Sequence, residues 1–242
     1  KAQKEKYNLQ GLFNQVNNGI YRFSLKPDSL LLNYEKWTIA ESNKIVLDKG
    51  DINAADFTLD HSGEQLSINS LSAERNAPLE ISFKDFKIAT LTGFAQQDST
   101  LADGVLNGKA TVTDITFSPV FVGDITVNDL SIKKDTVGNI KVLVDNKVKD
   151  TYNANVTISG NDNDINLSGN YFTNTSSFDF LLNIRRLPMK TAQAFSGGAI
   201  RESSGYLDGK FNVTGTADKP SVNGDLNFNN TVFNFAMLNN IF

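Results

Sequence analysis

The chain has 242 residues, a formal net charge of −4, a pI near 5.1 and no cysteine. The acidic balance argues against a nucleic-acid partner, which wants a basic face, and against simple electrostatic docking on anionic lipid. Lack of cysteine excludes a disulfide framework and a thiolate metal site, and no apolar run approaches the roughly 18 residues of a membrane helix.

The opening segment, residues 1–19, is charged and rich in Asn and Gln, with Leu9, Leu12, Phe13 and Val16 at helical spacing. A short helix and an irregular end both fit it. From Ile20 the period becomes two: Tyr21, Phe23 and Leu25 alternate with polar residues before a turn at Lys26-Pro27-Asp28. Ile45 and Leu47, Phe57 and Leu59, Leu66 and Ile68, then Leu79, Ile81 and Phe83 repeat the pattern, with turns at Lys49-Gly50-Asp51, His61-Ser62-Gly63 and Ala77-Pro78 between them. Asp85 falls in phase with Ile81 and Phe83 and breaks the apolar row unless a bulge intervenes. Further on come Ile140, Val142, Val144; then Tyr152, Ala154, Val156, Ile158; Ile165, Leu167, Tyr171; and Phe178, Phe180, Leu182, Ile184. Pro188 to Ser196 interrupts the alternation. Proline at its start and Gly197 past its end predict a short helix over 188–196.

A phrase is then written twice. Asp103 to Ile132 reads DGVLNGKATVTDITFSPVFVGDITVNDLSI, and Ser204 to Phe233 reads SGYLDGKFNVTGTADKPSVNGDLNFNNTVF. Gly104, Gly108, Pro119 and Gly123 match Gly205, Gly209, Pro220 and Gly224 at an offset of 101 residues. Leu106, Lys109, Val112, Thr113 and Asp124 match Leu207, Lys210, Val213, Thr214 and Asp225 at the same offset. A repeat that carries its turn residues with it indicates a stacked array of like units. The chain begins at Lys1 rather than methionine and stops at Phe242 within an alternating run, so it is expected to be a segment of a longer protein.

Several bland readings outweigh sharper ones. His61 lies in a polar turn without the partners that catalysis or metal binding requires. Asp162-Asn163-Asp164 lacks the distal Glu of an EF-hand and reads as a hairpin turn. Ser203-Ser204-Gly205 has no G-x-S-x-G frame, and the repeat glycines lack a GKS/T ending, so no nucleophile or phosphate loop is expected. Trp37 and Tyr34 read as core or groove-edge packing rather than membrane anchors. No enzyme, cofactor or metal is expected.

About fifteen strands at roughly 4.8 Å per step would make a sheet some 70 Å long, one face apolar and the other wet. Such a face must pack on a second sheet, close on itself, or fold over a ligand. Periodicity leaves the choice between a dry closed core and an open trough undecided.

The ordered phrase G-x-L-x-G-x-apolar-x-V-x-G-T-x-x-x-P-x-x-x-G-x-L, with the lead-in AFSGGAIRESSGYLDG from Ala194 to Gly209, resembles the C-terminal repeat region of TamB-like proteins of the AsmA superfamily, and the Asn-rich composition resembles Bacteroidetes-type members. The close likeness runs from about Leu187 to the end. It implies an all-β fold, an elongated repetitive sheet curled into a trough with one or two short helices, extending over residues 20–242. It further implies a periplasmic, inner-membrane-anchored or envelope-spanning protein that conducts phospholipid between the inner and outer membranes and supports outer-membrane biogenesis. An Omp85-type outer-membrane barrel is the implied partner, with membrane contact through other parts of the protein. The alternative is a structural β-array or an assembly scaffold without lipid. By strand phase alone, the residues expected to line the trough are Tyr152, Val156, Ile158, Phe178, Phe180, Leu182, Phe211, Val213, Leu226 and Phe228.

Overall fold

Period-two alternation favours antiparallel strands, because each strand can then give one side to an apolar phase and the other to water. The structure, a computed structural model, describes residues 5–92, 101–113, 115, 120–237 and 240–241. Residues 1–4 of the opening segment, residues 114 and 116–119 of the first repeat phrase (Pro119 among them) and Phe242 lie outside the described residues. In chain order the strands are β1 (Gly11–Asn17), β2 (Ile20–Leu25), β3 (Leu31–Leu32), β4 (Glu35–Lys36), β5 (Lys44–Asp48), β6 (Asp51–Ala55), β7 (Thr58–His61), β8 (Glu64–Ser70) and β9 (Leu79–Lys87). After helix α1 (Ile88–Thr92) come β10 (Ala102–Thr113), β11 (Val120–Ile132), β12 (Asp135–Val148), β13 (Thr151–Gly160), β14 (Asn163–Phe172) and β15 (Ser177–Pro188). Helix α2 (Met189–Phe195) then precedes β16 (Ile200–Thr216), β17 (Lys219–Phe235) and β18 (Asn240–Ile241).

Strands β7 to β18 follow one another in sequence order in one long antiparallel sheet that is not closed into a barrel. The fold is all-β. At the start of the chain β1, β2, β5 and β6 form a separate four-stranded sheet, and β3 pairs only with β4.

The chain divides into two compact units, Lys1–Ala95 with Leu106–Ile125, and Gln96–Val105 with Thr126–Phe242. In the first, Leu30, Leu32, Trp37, Ile39, Phe57 and Leu59 surround Phe86, which has no solvent exposure. Trp37 is a core residue, packed on Phe86 at 5.7 Å and on the His61 ring at 5.4 Å. Tyr34 stays exposed. His61 ends strand β7 rather than sitting in the turn, with Nδ1 2.7 Å from the Lys36 carbonyl.

Asp85 shows how the phase is kept. It adopts φ +47° and is exposed, so the next residue, Phe86, turns into the core. Its amide donates to Asn107 Oδ1 at 2.8 Å, and Asn107 Nδ2 donates back to Asp85 Oδ1 at 3.3 Å. Asp is among the residues that tolerate this left-handed backbone best. The out-of-phase carboxylate marks a bulge.

No helix forms among the described residues of the opening segment. Gly11–Asn17 is a strand, because Asn18-Gly19 turns the chain tightly and Ile20–Leu25 offers a ladder that outweighs the weak helical spacing. Phe13 stacks on Tyr21 across this hairpin at 5.4 Å.

The repeat is deeper than its sequence phrase. Helices α1 and α2 start 101 residues apart, at Ile88 and Met189, and carry buried threonines at the same offset, Thr90 and Thr191. Asp129 of β11 and Asn230 of β17, again 101 residues apart, both take positive φ, +53° and +46°. Each copy is therefore a strand, a short helix and a long hairpin with a bulge in its second arm.

Candidate functional site

In the second unit, register decides which side chains share a face, since directly paired residues point the same way. Across β12 to β17 the rows run Val142–Val156–Leu167–Leu182–Phe211–Gly224 and Ile140–Ile158–Ile165–Ile184–Gly209–Leu226. Next come Val144–Ala154–Gly169–Phe180–Val213–Val222, then Tyr152–Tyr171–Phe178–Gly215–Pro220 over five strands, with Leu187–Leu207–Phe228 over β15 to β17. All ten residues named from strand phase lie on this one face. Its first three rows cover roughly 24 Å across strands by about 14 Å along them, and none of the five holds a charged side chain. The tyrosine hydroxyls are its only polar side-chain groups.

The opposite face holds the polar partners. Asn166 Nδ2 donates to Asn155 Oδ1 at 2.9 Å and Asn153 Nδ2 to Asn170 Oδ1 at 3.2 Å. Arg185 grips Asp164 through Nε at 2.6 Å and Nη2 at 2.8 Å. Those hydrogen bonds hold the Asp164 carboxyl below the usual carboxylate range, and the same bonds raise Arg185.

Glycines shape the apolar face. Gly169, Gly215 and Gly224 each lie opposite a phenylalanine, Phe180, Phe178 and Phe211. A Cβ on Gly169 or Gly224 would stand 2.8 Å from the facing ring's Cδ1 and overlap a cross-strand carbonyl. The rings lie over bare backbone, which only glycine leaves open.

The face is curved. Gln193 of α2 accepts from the Ser203 amide at 3.2 Å and its hydroxyl at 2.9 Å, both in β16, and donates to Asp135 Oδ2 of β12 at 3.4 Å. One side-chain amide thus bridges β12 and β16, which four flat strand spacings would set about 19 Å apart. Beside it Asn163 is buried at the start of β14, its Nδ2 2.7 Å from the Val137 carbonyl and 2.9 Å from Thr191 Oγ1. So Asn163 does more than make a turn; it ties the β13–β14 hairpin to α2. Among the described residues no group of His, Cys, Asp and Glu could hold a metal ion.

The apolar rows are not sealed. Of all their side chains only Ile184 is buried; Val156, Ile158, Leu167, Leu182, Phe180 and Phe211 are half-buried, and Val222 and Phe228 are each 59% exposed.

Sequence reasoning missed Val222, although it stands in phase with Leu226, because Pro220 and Gly224 obscured the run. It missed Gln193 and Asn163 because no period marks a side chain that clasps across strands. No family model, curated protein or solved structure matches the chain.

Proposed function

We propose that the second unit carries the acyl chains of a lipid on its apolar face, as a segment of a TamB-like periplasmic protein of the AsmA superfamily. In that reading it conducts phospholipid between the inner and outer membranes and supports outer-membrane biogenesis beside an Omp85-type barrel. One observation supports it most: the curved, uncharged and half-exposed set of rows from Ile140 to Phe228. Moving acyl chains into water costs about 0.8 kcal/mol per CH₂, on the order of 24 kcal/mol for about 30 methylenes. A continuous apolar surface removes most of that cost, whereas one inward charge restores several kcal/mol locally.

The closed core of the first unit favours a second reading, a structural β-array or assembly scaffold without lipid, since this chain can cover apolar residues with its own. Native mass spectrometry with lipid extraction, on protein purified from bacterial envelopes, separates the two. Phospholipid should co-purify and be lost in Val156→Asp or Phe180→Asp with circular dichroism unchanged. Folded protein that stays lipid-free after phospholipid is added back would favour the scaffold.

A further inference from the structure

The sequence writes Asn-Gly three times, at Asn18-Gly19, Asn107-Gly108 and Asn223-Gly224. An asparagine before glycine is chemically reactive, because no Cβ shields the glycine nitrogen from the asparagine carboxamide. The fold treats the three pairs differently. Asn107 lies in β10, its Oδ1 accepting from the Asp85 amide at 2.8 Å and its Nδ2 donating to Asp85 Oδ1 at 3.3 Å. Asn223 lies in β17 opposite Asn212, with its Nδ2 3.0 Å from Ser221 Oγ. In both, the strand fixes a backbone that must rotate before the glycine nitrogen can reach the carboxamide. Asn18-Gly19 is instead the two-residue turn between β1 and β2, outside the ladder that ends at Asn17 and Ile20. Asn18 is exposed, and its side chain has no hydrogen bond among the described residues. Ile20 pairs with Asp48, so the turn between β5 and β6 stands alongside. From that turn Lys49 lies over Gly19, its Cγ and Cε each 3.8 Å from where a Cβ on Gly19 would stand. Lys49 makes no ion pair among the described residues.

We propose that Asn18 is a self-modification site, deamidated by its own chain with the help of Lys49. The Gly19 nitrogen attacks Asn18 Cγ. The N–Cγ bond forms, the Cγ–Nδ2 bond breaks, and ammonia leaves with the glycine proton. The nitrogen attacks as its anion, and a cation beside it favours that form. Water then opens the cyclic imide. Attack at Cγ leaves an aspartate, and attack at the former main-chain carbonyl leaves an isoaspartate, whose backbone runs through the side chain. The aspartate sets a carboxylate beside Lys49 and joins the two turns by an ion pair. The isoaspartate adds a bond to a turn whose length sets the register of β1 on β2. The reaction belongs to the first unit and is independent of what the apolar face of the second unit carries.

The test keeps the whole chain in warm neutral buffer, digests it at intervals and maps the peptides by mass spectrometry. The same chain in urea is the reference for the bare sequence. In the folded chain the peptide holding Asn18 should gain the mass difference between a carboxyl and an amide at least tenfold faster than those holding Asn107 and Asn223. In urea the three rates should agree within about threefold. Asn18→Gln should abolish the reaction at that position. Lys49→Met should slow it at least threefold in the folded chain and leave the rate in urea unchanged, with circular dichroism as the check on folding. Equal rates at the three positions in the folded chain, a faster reaction at Asn107 or Asn223, or an undiminished rate in Lys49→Met would overturn the proposal.

Discussion

Gln193 is the side chain on which the curvature of the second unit most depends, and its removal can be worked through. In Gln193→Ala three hydrogen bonds go at once, two to Ser203 and one to Asp135. The Asp135 contact is long at 3.4 Å, and its half-buried carboxylate can turn to water, so that loss is small. Ser203 is 3% exposed and has no such recourse. Leaving a buried donor unpaired costs about 1–3 kcal/mol, and with two such groups the expected destabilisation is about 2–4 kcal/mol. Gln193→Glu separates the parts of this figure. It keeps an acceptor for both Ser203 groups but sets a carboxylate against Asp135, so it should cost less than alanine and lose more in low salt than in high. Urea unfolding read by far-ultraviolet circular dichroism gives both values; the single tryptophan, Trp37, belongs to the first unit and does not report here. Amide exchange at Ser203 should quicken in the alanine variant and not in the glutamate one. A Gln193→Ala chain within 0.5 kcal/mol of wild type would refute the reasoning, because a clasp between β12 and β16 that costs nothing to remove does not hold the curve.

Phe86→Ala should cost about 3–5 kcal/mol, as expected for a fully buried aromatic, and Trp37 emission, 5.7 Å away ring to ring, reads it directly. Gly224→Ala should cost about 1–3 kcal/mol by overpacking, since the added Cβ overlaps the Lys210 carbonyl and crowds the Phe211 ring; an unchanged melting temperature would argue against that contact. For the Asp164–Arg185 pair the direction follows from the lowered Asp164 pKa. A depressed carboxyl stabilises the fold above its unfolded value, about 3.9, and loses that contribution as pH falls through the folded one. The melting-temperature gap between wild type and Arg185→Gln should therefore be open at pH 6 and close towards pH 2, and a constant gap would count against the pair.

Strand phase was legible because alternation reports on local backbone and on which side meets water, and both survive into the fold. The short helix after Pro188 was legible too, from its flanking proline and glycine, although Pro188 caps the helix rather than opening it. Asp85 could be read as a bulge only because a carboxylate in an apolar row is costly. Bulges at Asp129, Glu202 and Asn230 left no such mark, since Asp, Glu and Asn are ordinary on a strand's wet side. The opening strand was hidden because Leu9, Leu12, Phe13 and Val16 satisfy a helix template, and only the hairpin through Asn18-Gly19 tells otherwise. Side chains that bind across several strands, Asn43, Asn163 and Gln193, have no period at all. Asn43 Oδ1 accepts from the Leu25 amide at 2.8 Å, and its Nδ2 donates to the Leu25 and Ala40 carbonyls. Such positions depend on contacts distant in sequence, and a single sequence does not display them.

One alternating pattern has two outcomes in this chain, and the joints between strands account for the difference. In the first unit four of the seven core residues, Leu30, Leu32, Trp37 and Ile39, come from a single irregular stretch between β2 and β5. That stretch is long enough to fold over the sheet and supply the missing layer. In the second unit the joints at Lys149-Asp150, Asn161-Asp162 and Ala217-Asp218 are two-residue turns, which reverse the chain and cover nothing. Among the described residues of the second unit the longest joint is the one containing α2, and it carries the Gln193 and Asn163 bonds; it follows β15, whose Ile184 is the one buried member of the rows. At the other end of the rows, toward Tyr152, Tyr171 and Phe178, the described joints of the second unit are short turns. An apolar surface of this kind is stable in water only at a cost of roughly 25 cal/mol for each Å² left uncovered. The long strands, the tight turns and the glycines under the phenylalanine rings all leave it uncovered by the second unit's own joints between strands.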